Sequence, residues 1–424
     1  LLGARRKSQR QNLAAKRKSR ENRSKGTVKI ALVSPYDYAY PGGVNNHIAS
    51  LEEHFTRMGH EVKIIAPSSK PKKTQENESA IVIGKPVAIR ASGSVVRSPV
   101  SPMLMFSNRI KKMLEAEKFD VVHIHEPMMP ALAVSVLHHA EGVVLVGTFH
   151  ATRSNSFGYA IWKPLLKRWM NKLDGKIAVS QAARDFIYRY FPGDYEIIPN
   201  GIDLERFSDK APPVEKYRDD KLNILFVGRL EKRKGFKYLL GAYERVKKEF
   251  PQCRLIVVSP PGRLSQKYEK LAAKRNLKDV VFAGYVPFED LPSYYNTADI
   301  FCSPATGWES FGMVLLEAMA TGTPIAASDI PGYAGIVSHG VEGLLVKPRD
   351  EKALASALLS LLRDKAMRDG MGEKGKLKAK DYSWEVVARR VMSYYEKLLE
   401  GRTGVVNKEI ACACQGSSHP GAAY

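Results

Sequence analysis

The sequence predicts an α/β protein built as two similar parallel-sheet halves facing each other across a ligand cleft. Three observations carry this. From Val28 to Pro67 a buried strand, a glycine-containing loop, an amphipathic helix and a second strand follow one another, the unit from which right-handed parallel sheets are wound. The same succession restarts at Leu222, after a Pro-, Lys- and Asp-rich stretch without periodicity. Finally, Gly307–Ala320, GWESFGMVLLEAMA, reads as a strand end, a glycine loop and a helix start. That arrangement turns unpaired N–H groups and a positive dipole end toward an anion. Its two carboxylates, Glu309 and Glu317, suit the hydroxyls of a sugar better than a phosphate, because a carboxylate only accepts hydrogen bonds.

At 424 residues the chain is long enough to bury two cores. With 44% hydrophobic and 26% charged residues it has an ordinary globular composition. No apolar run approaches the roughly 20 residues of a membrane span, and the polar, basic N-terminus does not resemble a secretory signal. Cys253, Cys302, Cys412 and Cys414 show no zinc-type spacing with histidines and are expected to be reduced, which suits the cytoplasm. Of the net charge of +22, residues 1–26 supply +9 (ten Lys/Arg against Glu21), leaving +13 on the rest. Residues 1–26 are expected to form a disordered basic arm, either simply solvated or bound to nucleic acid or anionic lipid. The remaining excess suits an anionic surface or anionic substrates.

In the first half, VKIALVSP is a strand, YDYAYPGGVNNH a loop and HIASLEEHFTRMGH a helix closed by Gly59 before the strand EVKIIAP. Gly42 and Gly43 lie where the loop becomes helix; they either shape a turn or let backbone approach a ligand. No G-x-G-x-x-G occurs there, which argues against a nicotinamide enzyme. One or two short strands are expected over 81–90, then a flexible loop carrying Arg97. In the helix that follows, Met103, Met105 and Phe106 precede Arg109, Lys111 and Lys112. This suits an interfacial membrane helix over 99–114, while the Ile110, Met113 and Leu114 spacing equally suits core packing. FDVVHIHEP places His123 and His125 on one strand face. Without a second ligand pair, hydrogen-bonded cleft histidines are expected there rather than metal ligands. VVLVGTFHA brings His150 to a strand's C-terminal edge, where open α/β sheets hold ligands. KIAVS and YEIIPNGID, with its Asn-Gly turn, complete this half.

Residues 208–220 read as the linker. The second half opens on LNILFVGRLEKRKGF, whose Arg229, Lys232, Arg233 and Lys234 cluster at a strand's C-terminal edge, as a diphosphate requires. RLIVVSP, VVFAGYVP and DIFCSP are further strands; TPIAAS, GLLVKP and two C-terminal helices follow. The last, 384–400, is amphipathic and basic, and residues 401–424 are expected to be disordered. Aromatic residues are not interleaved with the basic runs, so no specific nucleic-acid partner is expected.

PGGV, PNGID, GRLEKRKG and ESFGMVLLEAMA, in this order over roughly residues 28–400, resemble the motifs of the retaining GT-B glycosyltransferases of family 4. SPYDYAYPGGVNNH, GSVVR, FDVVHIHEP and GTFHA look most like the bacterial phosphatidyl-myo-inositol mannosyltransferases, which move mannose from GDP-mannose to a membrane lipid's inositol. The resemblance implies two Rossmann-like domains. Residues 27–207 plus a returning 385–400 would bind the acceptor, and 221–384 the nucleotide sugar. It implies that Gly43 approaches the donor, that Arg229, Arg233 and Lys234 neutralise the diphosphate, and that backbone at Val286, Pro287 and Phe288 meets the base. Glu309 would hold the transferred sugar, Ser310, Phe311, Gly312, Met313 and Val314 would cap the phosphates, and Glu317 would bind ribose. His150, with Glu309, Arg229 and Lys234, would be catalytic. Tyr36, Asn45, Ser92, Arg97 and Arg153 would line the acceptor pocket; Asn155 stands where those enzymes carry a lysine. With no D-x-D cluster in the cleft loops, neither a metal nor another cofactor is expected, and the donor is a substrate. The implied partners are a nucleotide sugar, a lipid or other hydroxyl acceptor and an anionic membrane surface. The implied location is cytoplasmic, peripheral on the inner face of the cell membrane. A UDP-sugar enzyme making another glycoconjugate is the alternative.

Overall fold

The computed structural model describes residues 26–40, 42–70, 80–91, 94–99, 107–153 and 155–415. The expected basic arm (residues 1–25 of it), Ser92, the Met103–Phe106 stretch and residues 416–424 lie outside the described residues.

The first half is wound around β1 (Lys29–Val33), which pairs in parallel with β2 (Glu61–Ala66) on one side and β6 (Val121–His125) on the other. The full order is β3-β2-β1-β6-β7-β8-β9, with β3 at Ala80–Val82, β7 at Val144–Phe149, β8 at Gly175–Ala178 and β9 at Glu196–Ile197. Successive buried residues along β1, β6 and β7 reflect a sheet covered on both faces. The covering helices are α1 (Gly43–Arg57), α2 (Asn108–Glu117), α3 (Leu132–His139), α4 (Phe157–Met170) and α5 (Gln181–Tyr188). A separate antiparallel hairpin joins β4 (Val87–Ala91) to β5 (Ser94–Ser98). Arg97 therefore sits on a strand, not in the flexible loop expected: β-branched Val95 and Val96 pair across to Arg90 and Ile89.

The second half repeats the scheme as β12-β11-β10-β13-β14-β15, again all parallel. Its strands are β10 (Leu222–Val227), β11 (Cys253–Val258), β12 (Val280–Gly284), β13 (Ile300–Ser303), β14 (Ile325–Ser328) and β15 (Gly343–Val346). Its helices are α6 (Phe236–Glu249), α7 (Arg263–Lys274), α8 (Leu291–Thr297), α9 (Met313–Ala320), α10 (Pro331–Ala334), α11 (Glu351–Arg363) and α12 (Lys365–Ala379). Cys253 and Cys302 are buried free thiols in this core. In both sheets the chain leaves the middle strand toward one edge and then returns to the other side. That reversal opens a crevice at the carboxyl ends of β1/β6 and of β10/β13.

Three helices, not two, close the chain. The last, α13, runs from Trp384 to Gln415, so residues 401–415 are helical where disorder was expected. Its first turns return to the first half: Trp384, Val387, Ala388, Val391, Met392 and Tyr395 share a core with Ile30, Leu51, Phe55 and Val146. The segment read as a linker lies against the second half, with Tyr217 buried and Arg254 paired to Asp219. Beside it, Ile202 bridges Ser383 in parallel, Ile202 N–H donates to the Tyr382 carbonyl at 2.8 Å, and Trp384 N–H to the Ile202 carbonyl at 3.2 Å. A Cβ on Gly201 would come 2.4 Å from the Trp384 ring. The glycine of the Asn-Gly pair thus serves close packing of an indole as well as a turn.

Candidate active site

In the second half, two loops at the carboxyl edge of the sheet are fastened together. Gly235 adopts φ 71°, and a Cβ there would fall 1.8 Å from the Pro304 carbonyl oxygen. Only glycine lets the loop after β10 close on the loop after β13. Thr306 N–H donates to the Arg233 carbonyl at 2.7 Å across the same seam. The seam carries a charge network: Arg229 Nη1 lies 3.1 Å from Glu231 Oε1 and Arg233 Nε 2.9 Å from Glu231 Oε2. Arg233 Nη1 also pairs with Glu309, and Lys234 Nζ lies 2.9 Å from Glu309 Oε1. Three of the four expected cations therefore converge on two carboxylates, while Lys232 is solvent-exposed.

The helix start at α9 is shaped by Gly312, at φ 97°, with the Tyr333 ring 2.9 Å from where its Cβ would be. Phe311 is buried in the core, and Met313 and Val314 of the first turn are half-buried. Glu317 faces inward, 7% exposed, and accepts the Tyr295 hydroxyl at 2.6 Å. Burial pushes its carboxyl up to about 7, against the Tyr295 hydrogen bond and the Lys234 charge. After β12, Val286 is buried, Pro287 half-buried and Phe288 exposed; the Phe288 ring lies 5.5 Å from Phe207, with the Arg206 guanidinium 4.8 Å above it.

In the first half, the loop between β1 and α1 is braced by one buried side chain. Asn45 accepts the Ser34 hydroxyl at 2.7 Å and donates to the Asp37 and Tyr40 carbonyls at 2.9 and 3.0 Å. Gly43 opens α1 and is exposed. The Arg97 guanidinium stacks 4.2 Å over the Tyr40 ring, and its carbonyl accepts Asp37 N–H at 2.9 Å, so the hairpin clamps this loop.

His150, half-buried at the end of β7, stands in a group of four histidines. Its Nε2 is 2.9 Å from His125 Nδ1, and its ring lies 4.9 Å from that of His47. His47 Nδ1 meets Asn200 Oδ1 at 2.9 Å; His123 bridges the Tyr395 hydroxyl and Thr148 at 2.5 and 2.6 Å. Burial keeps all four rings neutral: His47 is lowered to about 4, His123 to about 3, and His125 and His150 well below the usual value. Ring nitrogens of His47, His125 and His150 lie within 4.8 Å of one another, the one grouping of metal-capable side chains among the described residues. Two of these rings are already hydrogen-bonded to each other.

Beneath His150 sits Glu126, at φ 50° and buried; its Oε1 accepts the backbone N–H of His150 at 2.7 Å and of Ala151 at 2.8 Å. Desolvation raises its carboxyl pKa, while those two bonds and Arg153 oppose the rise. The Tyr36 hydroxyl is raised by burial and by the Glu126 charge, with Arg153 opposing. Tyr36, Glu126 and Arg153 thus share one electrostatic neighbourhood.

The two halves meet at Ser180, whose hydroxyl donates to the Ser310 carbonyl, and α5 packs on α10. Sequence reasoning missed Glu231, Glu126 and Tyr295. Glu231 lies inside the basic motif, where four cations mask it, and Glu126 follows His125 directly. Nothing in the sequence marks Tyr295, whose partner is 22 residues away.

Two doubly wound parallel domains thus face each other, with Arg229, Arg233 and Lys234 at the carboxyl edge of one sheet and His150 at that of the other. The description "Glycosyltransferase Family 4" matches residues 41–206, and "Glycosyl transferases group 1" matches residues 207–378. The chain is 35% identical over 370 residues to the phosphatidyl-myo-inositol mannosyltransferase of Mycolicibacterium smegmatis, covering 87% of this chain and 94% of that protein. In fold it is similar to the sucrose-phosphate synthase of Thermosynechococcus elongatus (TM-score 0.70, 23% identity, 88% of this chain and 100% of that one). It is also similar to Anabaena HepE in complex with UDP (TM-score 0.71, 19% identity, 88% and 100%). The chain belongs to the family 4, group 1 glycosyltransferases and is a GT-B enzyme.

Proposed function

We propose that this glycosyltransferase moves mannose, with retention, from GDP-mannose to the inositol of a phosphatidylinositol-type membrane lipid, working at the inner face of the cell membrane. The observation that carries the reading is the convergence of Arg233 and Lys234 on Glu309 in one half, with His150 held over a buried Glu126 in the other. It is supported by the likeness to the mycobacterial mannosyltransferase.

Breaking the bond to a nucleoside diphosphate places negative charge on the leaving phosphate, and fixed cations in a low-dielectric cleft stabilise it most. Arg229, Arg233 and Lys234, with the amide groups at the start of α9 from Ser310 to Val314, are the donors for that charge. Glu309, already held by two cations, then accepts hydroxyls of the transferred sugar while the cations turn to the diphosphate. Glu317 takes the ribose hydroxyls, and backbone at Val286–Phe288 the base. Neutral His150 lies against the reacting sugar and donates or accepts a hydrogen bond without adding charge. Gly43 leaves room for the donor, and Tyr36, Arg97 and Arg153 surround the acceptor's phosphate. Asn45, with its amide engaged in the loop, acts by shaping that pocket. The cations of the site do the work often given to a metal, so none is invoked.

A radiolabelled panel of nucleotide sugars with purified protein and mixed lipids tests this. Label from GDP-mannose should appear in phosphatidylinositol. Transfer from a UDP-sugar alone would overturn the donor assignment, and transfer to another lipid the acceptor.

A further inference from the structure

The most exposed large apolar side chain among the described residues is Phe157, at 81%. It shares α4 with Trp162, Ile161 and Leu165, exposed by 59%, 53% and 47%. Phe157, Ile161 and Leu165 recur every fourth residue and lie along one line of the helix, with Trp162 beside it. Other positions of α4 are occupied: Tyr159 and Leu166 pack on the first half's core, and Trp169 and Met170 are buried in it. The helix start is fixed as well, since the Ser156 hydroxyl accepts Tyr159 N–H at 3.2 Å and Ser156 N–H donates to the Tyr190 hydroxyl at 2.7 Å. A surface helix needs one apolar stripe; α4 carries two, and the chemistry of the site uses neither.

Along the helix itself the charge has a single sign. From Ala151 to Leu173 the chain holds Arg153, Lys163, Lys167, Arg168 and Lys172 and no Asp or Glu. An apolar strip with a tryptophan, on a helix whose only charged side chains are cations, complements a bilayer with anionic headgroups. The strip begins four residues after Arg153, which shares the electrostatic neighbourhood of Tyr36 and Glu126. In α2, Ile110, Met113 and Leu114 pack on the first half's core. Its Arg109, Lys111 and Lys112 are exposed, and the Met103–Phe106 stretch that precedes it lies outside the described residues.

We propose that α4 is the membrane-docking helix. Phe157, Ile161, Trp162 and Leu165 enter the interface of an anionic bilayer, and Lys163, Lys167 and Arg168 lie on lipid phosphates. Docking this way sets the His150 side of the cleft at headgroup level; that last clause rests on the lipid-acceptor reading, while the docking itself does not.

The test uses the full chain with vesicles of phosphatidylcholine alone or with phosphatidylglycerol added. Three proteins are compared: wild type, Phe157→Ser with Trp162→Ser, and Lys163→Glu with Lys167→Glu. Wild type should bind the anionic vesicles and release with salt. The apolar pair of changes should lower partition by about tenfold or more, and the charge pair should remove the preference for phosphatidylglycerol. Because all four positions are exposed, melting temperatures should stay at the wild-type value. Wild-type partition in both variants overturns the proposal. So does binding that is lost only on deleting residues 1–26, or a dimer in sedimentation that these changes dissociate while vesicle binding persists, which would make the strip a protein contact. Vesicle binding that depends on α4 in a protein with no transfer to phosphatidylinositol would leave the docking standing and remove the acceptor reading.

Discussion

Lys234 Nζ and Glu309 Oε1 lie 2.9 Å apart, brought together from two loops that Gly235 alone allows to touch. Both side chains are largely shielded from solvent, so their charges act through a low dielectric. Lys234→Ala and Glu309→Ala should each lower turnover by about 10²–10³-fold. Steady-state assays with donor and acceptor saturating check this, and turnover within a few-fold of wild type would remove either residue from the site.

Glu317 gives the protein a stability that varies with pH. Its folded carboxyl is raised by burial from 4.5 to about 7, so between those values the folded state holds a proton that the unfolded state has lost. The contribution is fully present below 4.5 and is lost as pH rises through 7, with a slope up to about 1.4 kcal/mol per pH unit. Glu317→Gln, which keeps the shape without the charge, should flatten the melting temperature between pH 5 and 8 and exceed wild type at the upper end. Parallel profiles for the two proteins would show that Glu317 does not titrate there.

The histidine group acts in the opposite direction. His47 is depressed by burial from 6.5 to about 4, despite its bond to Asn200, so the unfolded chain gains its proton first. The stability this residue provides is complete above 6.5 and is lost as pH falls through about 4. His47→Gln should reduce the loss of melting temperature on acidification from pH 6.5 to 4. An unchanged acid limb would assign the loss to other groups.

Gly201→Ala places a methyl group 2.4 Å from the Trp384 ring. Crowding of this kind costs about 1–3 kcal/mol, and Trp384→Leu in the same chain should restore part of it. A double-mutant cycle by denaturant unfolding reads the coupling; additive effects would mean that the indole moves aside freely.

Much of this fold can be read from the chain because its signals are local. β1, α1 and β2 follow from a buried strand, a helical period and a glycine stop within forty residues. The basic loop at Arg229–Lys234 and the helix start at Gly312 are equally local, since spacing places their charge and amides at a sheet edge. What stayed hidden depends on contacts between distant segments. Arg97 read as loop because a hairpin draws on its partner strand. Glu317's elevated carboxyl arises from burial that only the packing of neighbouring elements creates, and its Tyr295 partner, which opposes the rise, comes from another helix. The outer apolar stripe of α4 is not marked in the sequence, because composition does not tell which of two stripes meets the core. Glu126 escaped notice since its work is to accept main-chain N–H groups 24 and 25 residues further on.

The chain passes between its halves at Ile202 and returns at Ser383, and these two crossings lie edge to edge as a parallel bridge. A rotation of one half against the other must bend both crossings about a common line, as a door turns on two pins of one hinge. Travel grows with distance from that line, so segments far from Trp384 would sweep widest. The His47 ring, 5.0 Å from Trp384, stands almost on the pivot. The histidine group would thus keep its arrangement while the facing loops at Lys234 and Ser310 swing toward or away from it. Ser180, whose hydroxyl meets Ser310 across the gap, is placed as the latch of such a door.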